Sequence, residues 1–271
     1  MSHEGSYIID QVSDATLELQ RLEQQSKILR PLEQRVLTES GLRAEHRVLE
    51  IGCGPGFITS LLCELATDGE VLATDTDPKL LARCEQYVTK RPARGLTTMQ
   101  VQGAKLPLAD HRCDFSYLRF VLQHAPERQA LLTEVHRTLT DGGIICVLDS
   151  DDGLVLQHPE DPMITQLLST ADERQQRKGG DRRVGRKLAG MLHEAGFTAI
   201  RTKLFTFTTS DLPFPVLARI LLGFKSELSG RRNEIEPWIE TTAAKVQAGE
   251  YFLAAGVVLA TAQKAKTHAP A

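Results

Sequence analysis

No apolar run in this 271-residue chain reaches the roughly 20 residues that a membrane-spanning helix needs. The opening Met-Ser-His-Glu-Gly has no secretory-signal pattern. A soluble, cytoplasmic protein is expected. No charge sign dominates: the formal net charge is −3. A nucleic-acid partner would call for a basic domain, so none is expected. Aromatics amount to 5% of the chain. The densest basic stretch, Arg174, Arg177, Lys178, Arg182, Arg183, Arg186 and Lys187, has no aromatic interleaved. It reads as a solvated charged face, with recognition of an anionic acceptor or loop closure over a ligand as alternatives. Cysteine is scarce: Cys53, Cys63, Cys84, Cys113 and Cys146 are scattered, mostly in apolar segments, with no CxxC spacing. That pattern excludes a disulfide framework or a zinc site and implies small buried thiols. No metal is expected.

What the chain does have is an ordinary globular composition, 41% hydrophobic and 25% charged. Its length suits one α/β domain with an appended cap. Across 1–45, Leu17, Leu19, Leu22, Ile28, Leu29, Leu32, Val36 and Leu37 recur at helical steps. Pro31 predicts a break into two helices, and Gly41 a stop. From 47 to about 150 strand and helix alternate. Strands are expected at 47–51, 70–74, 97–101, 113–118 and 143–149. Helices are expected after Gly56, after an Asp77 cap with Pro78 in the first turn, and over 127–139. Asp141-Gly142-Gly143 reads as a turn into the fifth strand. Further on, helices are expected at 160–178 and 183–195 and a strand at 197–208. A Pro-interrupted, leucine-rich stretch from 212 to 228 suggests short helices, with another helix to about 248 and a last strand at 251–263. The pattern predicts a doubly wound, mostly parallel, seven-stranded Rossmann-like sheet with its last strand antiparallel, and a helical cap. The expected organisation is a cap segment over 1–45, a nucleoside-binding core over 46–150, and the rest of the sheet with pocket-forming insertions over 151–271, all in one catalytic domain.

The core carries the most informative local pattern. Val48-Leu-Glu-Ile-Gly-Cys-Gly-Pro-Gly56 is a short apolar strand that stops at three alternating glycines. The next strand ends on Asp75, about 20 residues on, the layout of a nucleoside site at the carboxyl ends of two parallel strands. The glycines allow a tight turn and let a ligand lie against backbone. The spacing is GxGxG, and Glu50 stands two residues before the first glycine. An acid there suits a ligand bearing an ammonium and a sulfonium better than a pyrophosphate. Asp75 can accept from both hydroxyls of a ribose.

Residues 48–56, Asp75, the segment Val101-Gln-Gly-Ala-Lys-Leu-Pro-Leu108, the run Asp114–His124 and Leu139-Thr-Asp-Gly-Gly143 together resemble class I S-adenosylmethionine-dependent methyltransferases. The resemblance is good over 47–150. It extends more weakly to 17–30, which looks like the first helix of small-molecule methyltransferases of the ubiquinone/menaquinone type. It implies S-adenosylmethionine as cofactor. Gly52, Cys53, Gly54 and Gly56 would pack on the methionine part and ribose, with Glu50 beneath the loop, ordering its amides or meeting the ligand's ammonium. Asp75 would bind the ribose diol and Thr76 flank the adenine. Gln102 stands where the family usually has Asp on the adenine amino group, followed by Gly103 and Ala104. Arg119 and Phe120 would lie beside the methionine end. Arg119 could pair with the ligand carboxylate, or instead hold an acidic neighbour such as Asp149.

Methyl transfer from a sulfonium needs alignment and exclusion of water more than a base. His124 and the acids Asp149, Asp151 and Asp152 fall at or beyond strand ends on the ligand side. Asp149 and His124 are the candidates for acceptor contact or proton removal; His124 could equally orient its loop. His158 and His193 read as surface residues. The expected acceptor is a small organic molecule, with a homodimer left open. Macromolecule methylation and a non-methylating S-adenosylmethionine-binding protein of the same fold remain alternatives. Leu118-Arg-Phe-Val lacks the Asn/Asp-Pro-Pro-Tyr/Phe pattern of amino-group methylases of DNA and protein glutamine.

Overall fold

The computed structural model describes residues 14–89 and 95–266. Residues 1–13 of the expected cap segment lie outside that range. Five strands run parallel: β1 (Arg47–Ile51), β2 (Glu70–Asp75), β3 (Leu96–Gln100), β4 (Cys113–Arg119) and β5 (Leu139–Ser150). Their spatial order is β3-β2-β1-β4-β5. Beyond β5 the sheet turns antiparallel: β8 (Phe252–Lys264) pairs β5 along one edge and β7 (Phe197–Thr208) along the other. The short β6 (Leu156–His158) pairs the start of β8. The sheet is thus mostly parallel, with eight strands among the described residues instead of the expected seven. β6 was missed because its three residues show no alternation, and its pairing comes from a distant segment.

The helices are α1 (Ala15–Glu39), α2 (Thr59–Leu65), α3 (Pro78–Thr89), α4 (Arg128–Thr138), α5 (Pro162–Arg177), α6 (Leu188–Glu194), α7 (Phe214–Ser229) and α8 (Arg232–Gln247). Strands buried on both sides need a helix layer on each. On one face Leu49, Leu118 and Val147 pack with Leu132 of α4 and Leu188 and Leu192 of α6. On the other, Phe115 and Tyr117 pack with Leu37 of α1, Leu62 of α2 and Val88 of α3. Each fully buried leucine contributes about 2 kcal/mol. A third cluster joins α5, α7 and α8 through Leu167, Leu222 and Trp238. The Trp238 indole donates to Asp161 at 2.7 Å, whose other oxygen caps α5 at the Met163 amide.

Several boundaries differ from those expected. Pro31 does not divide the first segment; α1 runs through it. The proline costs about 3 kcal/mol in a helix interior, but Leu29, Glu33, Val36 and Leu37, on both sides of it, are buried against one body. The stretch from 212 to 228 is a single helix, α7, not short pieces. Its prolines sit at the N-cap (Pro213) and in the first turn (Pro215), where no intrahelical amide is lost. The Asp141-Gly142-Gly143 turn is absorbed into β5 as a bulge, its register jumping from Leu139 opposite Cys113 to Ile144 opposite Phe115. The helix expected at 183–195 is a 3₁₀ turn at Gly185–Lys187 followed by α6.

Strand order reverses between β1 and β4, because the connection after β3 returns across β1. At such a switch point the loops leaving adjacent strands diverge and leave a crevice at the carboxyl ends.

Candidate active site

The crevice is a cavity of about 330 Å³. The loop after β1 forms its floor, and each glycine there answers a different demand. Gly52 and Gly56 both have positive φ. A Cβ on Gly52 would meet Val121 at 2.6 Å, and one on Gly56 would meet the Cys84 Cα at 2.7 Å. These two let β4's loop and α3 approach. Gly54 (φ +54°) has nothing within 4 Å of a built Cβ and opens on the cavity.

Asp75 holds this loop. One carboxylate oxygen accepts from the Gly54 amide at 2.8 Å, the other from the Asp77 amide at 3.0 Å. Burial pushes its carboxyl pKa up, and the Asp77 and Gly54 amides pull it back. Glu50 is buried directly beneath. Burial raises its carboxyl to about 8. It does not order the amides of Cys53, Gly54 and Gly56, which bond to the Thr74 carbonyl, Asp75 and the Cys53 carbonyl. One oxygen of Glu50 is buried with no partner.

Arg119, at the end of β4, donates through Nε to Glu33 of α1 at 2.5 Å, and the Tyr117 hydroxyl joins the same carboxylate at 3.1 Å. The acidic neighbour is therefore Glu33, not Asp149. Glu33 was not foreseen because α1 and β4 are far apart in sequence. The Arg119 Nη2 is buried without a partner. Phe120 follows in the left-handed region (φ +55°), under the Arg119 guanidinium at 4.8 Å. Such strain in a non-glycine residue gathers at functional sites.

Of the other expected cofactor residues, Cys53, Thr76, Gly103 and Ala104 line the cavity. Gln102 is exposed, does not line it, and forms a bridge to Lys105. Asp149 does not line the cavity either. Its oxygens accept from the Ser150 and Gln123 amides at 2.8 and 3.3 Å, and burial lifts its carboxyl to about 7. It ties the end of β5 to the loop after β4. His124 does line the cavity, edge-on to Phe224. Desolvation lowers its pKa to about 3, so the imidazole is neutral. Gln175 is oriented by an Arg182 donor on its oxygen and the Gln123 carbonyl on its nitrogen. Its NH₂ therefore faces His124 Nδ1 at 3.4 Å, which puts the imidazole proton on Nε2. Nδ1 is engaged as an acceptor, and neither group stands as a free base facing the cavity.

The far end of the cavity is roofed by α1 and α7, with Leu22, Ile28, Leu217 and Leu221 among its apolar lining. Arg182, Lys225, Asp152 and Gln123 add a polar wall. Of the basic stretch 174–187, Arg182 is the buried member; Arg186 and Lys187 are exposed and pair with Asp151 and Asp181. Lys225 was not foreseen. The signal was present: a lysine in register with Ala218, Leu222 and Ser229 on the buried face of a leucine-rich helix. His158 and His193 are exposed. Among the described residues no group of three or more His, Cys, Asp or Glu is placed to hold a metal, and no helix is long and apolar enough to cross a membrane.

The family described as "Methyltransferase domain" matches residues 49–147, the segment that builds this floor. Residues 49–147 thus match a methyltransferase domain. A methyltransferase of Schizosaccharomyces pombe is 27% identical over 58% of this chain. The chain spans 59% of that relative's length. The demethylmenaquinone methyltransferase of Geobacillus kaustophilus is 25% identical over 64% of this chain and 79% of its own. In fold, the phosphoethanolamine N-methyltransferase 2 of Haemonchus contortus, solved with S-adenosylhomocysteine, superposes with a TM-score of 0.57 at 15% identity, covering 87% of this chain and 53% of that one. The matched segment carries the glycine loop, Asp75 and Arg119. The roof over it, α1 and α7, lies outside the matched segment.

Proposed function

We propose that this chain transfers a methyl group from S-adenosylmethionine to a small organic acceptor. The observation that carries this reading is one continuous cavity. It joins the glycine floor, Asp75 and two orphaned buried atoms, Glu50 Oε2 and Arg119 Nη2, to an apolar chamber under α1 and α7. Those orphans fit the ligand's two charged ends: a carboxyl for an ammonium and a guanidinium nitrogen for a carboxylate. The open space at Gly54 fits a group lying against backbone. Asp75 would take the ribose hydroxyls with its remaining lone pairs, and Thr76, Gly103 and Ala104 would flank the base. S-adenosylmethionine, when bound, supplies an electrophilic methyl group. The protein's part is then to orient the acceptor and exclude water. The roof of α1 and α7 serves both ends and favours a small acceptor over a macromolecule. His124, neutral and engaged at Nδ1, positions without taking a proton.

Glu50 supplies a specific test. Its carboxyl, raised to about 8, holds a proton in the free protein at pH 7. An ammonium beside it favours the carboxylate, so binding releases that proton. Calorimetric titration with S-adenosylhomocysteine at pH 7, in buffers of differing ionisation enthalpy, is expected to report release of up to about one proton. Glu50→Gln is expected to abolish the release. Equal heats in every buffer would rule the contact out. Transfer of labelled methyl from S-adenosylmethionine to members of a small-acceptor panel tests the reaction itself.

Gly54→Ala and Gly56→Ala should separate ligand space from packing space. The Cβ of Gly54→Ala enters the open cavity at a strain of about 1 kcal/mol and should weaken S-adenosylhomocysteine binding at least about tenfold. In Gly56→Ala the Cβ overlaps the Cys84 backbone, and thermal unfolding should fall by several degrees, roughly 2 kcal/mol or more.

A further inference from the structure

The chamber beyond the cofactor floor is not charge-balanced. Lys225 is buried on α7, donating to the Leu221 carbonyl at 2.8 Å and standing 3.3 Å from Asp152 Oδ1. Arg182 is buried opposite and grips the same carboxylate with Nε at 3.0 Å and Nη2 at 3.2 Å. Its Nη1 spans Gln123 and Gln175 at 3.0 and 3.3 Å. Two cations thus share one carboxylate. Among the described residues no other carboxylate bonds to Lys225 or Arg182. Arg21 of α1 is matched by Glu18 through two bonds of 2.7 and 2.6 Å. Asp151 turns to Arg186, His124 is neutral, and Asp149, within electrostatic reach of Arg182 but lifted by burial to about 7, accepts from the Ser150 and Gln123 amides; Glu127 lines the cavity but bonds to neither cation. The ammonium has a third hydrogen beyond Leu221 and Asp152. The same cavity is also lined by the apolar Val155, Leu217, Leu221, Phe224 and Val257.

We propose that the acceptor is a small molecule with an apolar body and one anionic group, a carboxylate, held in the chamber by Lys225 and Arg182. A buried net positive charge is costly without a partner, and a single carboxylate restores neutrality. A monoanion fits one surplus charge; a dianion would leave the excess reversed. Burial also lowers the Lys225 amine to about 8, as expected of a cation whose counter-charge is shared. That the ligand is the methyl acceptor rests on the methyl-transfer reading; that an anion binds here does not.

The test is equilibrium binding of aliphatic and aryl carboxylates of four to ten carbons, each matched with its neutral primary amide, to protein saturated with S-adenosylhomocysteine. The wild-type protein is expected to prefer the best acids over their amides by about tenfold or more, one charge-assisted contact. Lys225→Met should bring that preference near unity, and Lys225→Arg should keep it, with circular dichroism and S-adenosylhomocysteine affinity confirming that each variant is folded. The wild-type comparison stands alone if Lys225→Met does not fold. No acid preferred over its amide, or an undiminished preference in folded Lys225→Met, overturns the proposal. Should S-adenosylhomocysteine itself fail to bind, the methyl-transfer reading falls, and the same titrations on the protein alone still decide the anion site.

Discussion

Asp75→Ala is expected to weaken S-adenosylhomocysteine binding by roughly 100-fold or more. The carboxylate has two tasks that alanine removes together. It would accept from the ribose hydroxyls, and it already accepts from the Gly54 and Asp77 amides. Hydrogen bonds to a charged group contribute about 1.5–3 kcal/mol each, and about 1.4 kcal/mol is a factor of ten. Loss of the ligand contacts alone accounts for the estimate, and a Gly54 amide released from its anchor adds to it. Asp75→Asn keeps one acceptor oxygen and should retain part of the affinity, falling between wild type and alanine. Calorimetry on both variants decides the matter, because full affinity in Asp75→Ala would mean that the ribose lies elsewhere.

Asp152→Ala should lower the melting temperature at pH 7 by roughly 10 °C. It leaves Arg182 and Lys225 buried without their shared carboxylate, and breaking a buried pair typically costs about 3–5 kcal/mol. One kcal/mol corresponds to about 2–4 °C in a chain of this size class. The loss should shrink at high pH. The Lys225 pKa, about 8 when folded, lies below its value in the unfolded chain. At pH 10 the buried amine is therefore neutral with or without Asp152, and only Arg182 lacks a partner. Differential scanning calorimetry at the two pH values distinguishes this from a simple packing loss, which would be the same at both.

The glycine loop and the acid that anchors it were legible because their signals are local. Gly52, Gly54 and Gly56 follow directly from β1, and Asp75 ends β2; short-range backbone demands fix what those positions require. The proposed acceptor side was legible only in part: Arg182 stood in the basic stretch read as a possible anion site, and Asp152 beyond a strand end, while Lys225, Gln123 and Gln175 carried no such reading. Lys225, Arg182, Asp152, Gln123 and Gln175 come from five segments, and no spacing rule links them. Asp149 stands at the end of a strand as expected, but the backbone amides of Ser150 and of Gln123 in the adjoining loop claim its oxygens. Pro31 and the prolines at the start of α7 misled because a breaker is read locally: packing on both sides carries α1 through Pro31, and Pro213 and Pro215 sit where a helix loses no amide.

By itself the sequence determined the doubly wound, mostly parallel sheet and the class of methyl donor, because strand periodicity, glycine conformation and a terminal acid act within a few residues. Only the tertiary structure decided what faces that donor. Burial turns Glu50 into a protonated acid, makes His124 a neutral group, and sets two cations against one carboxylate beneath α1 and α7. Those properties arise from desolvation and from contacts between distant segments, which exist only once the chain is folded.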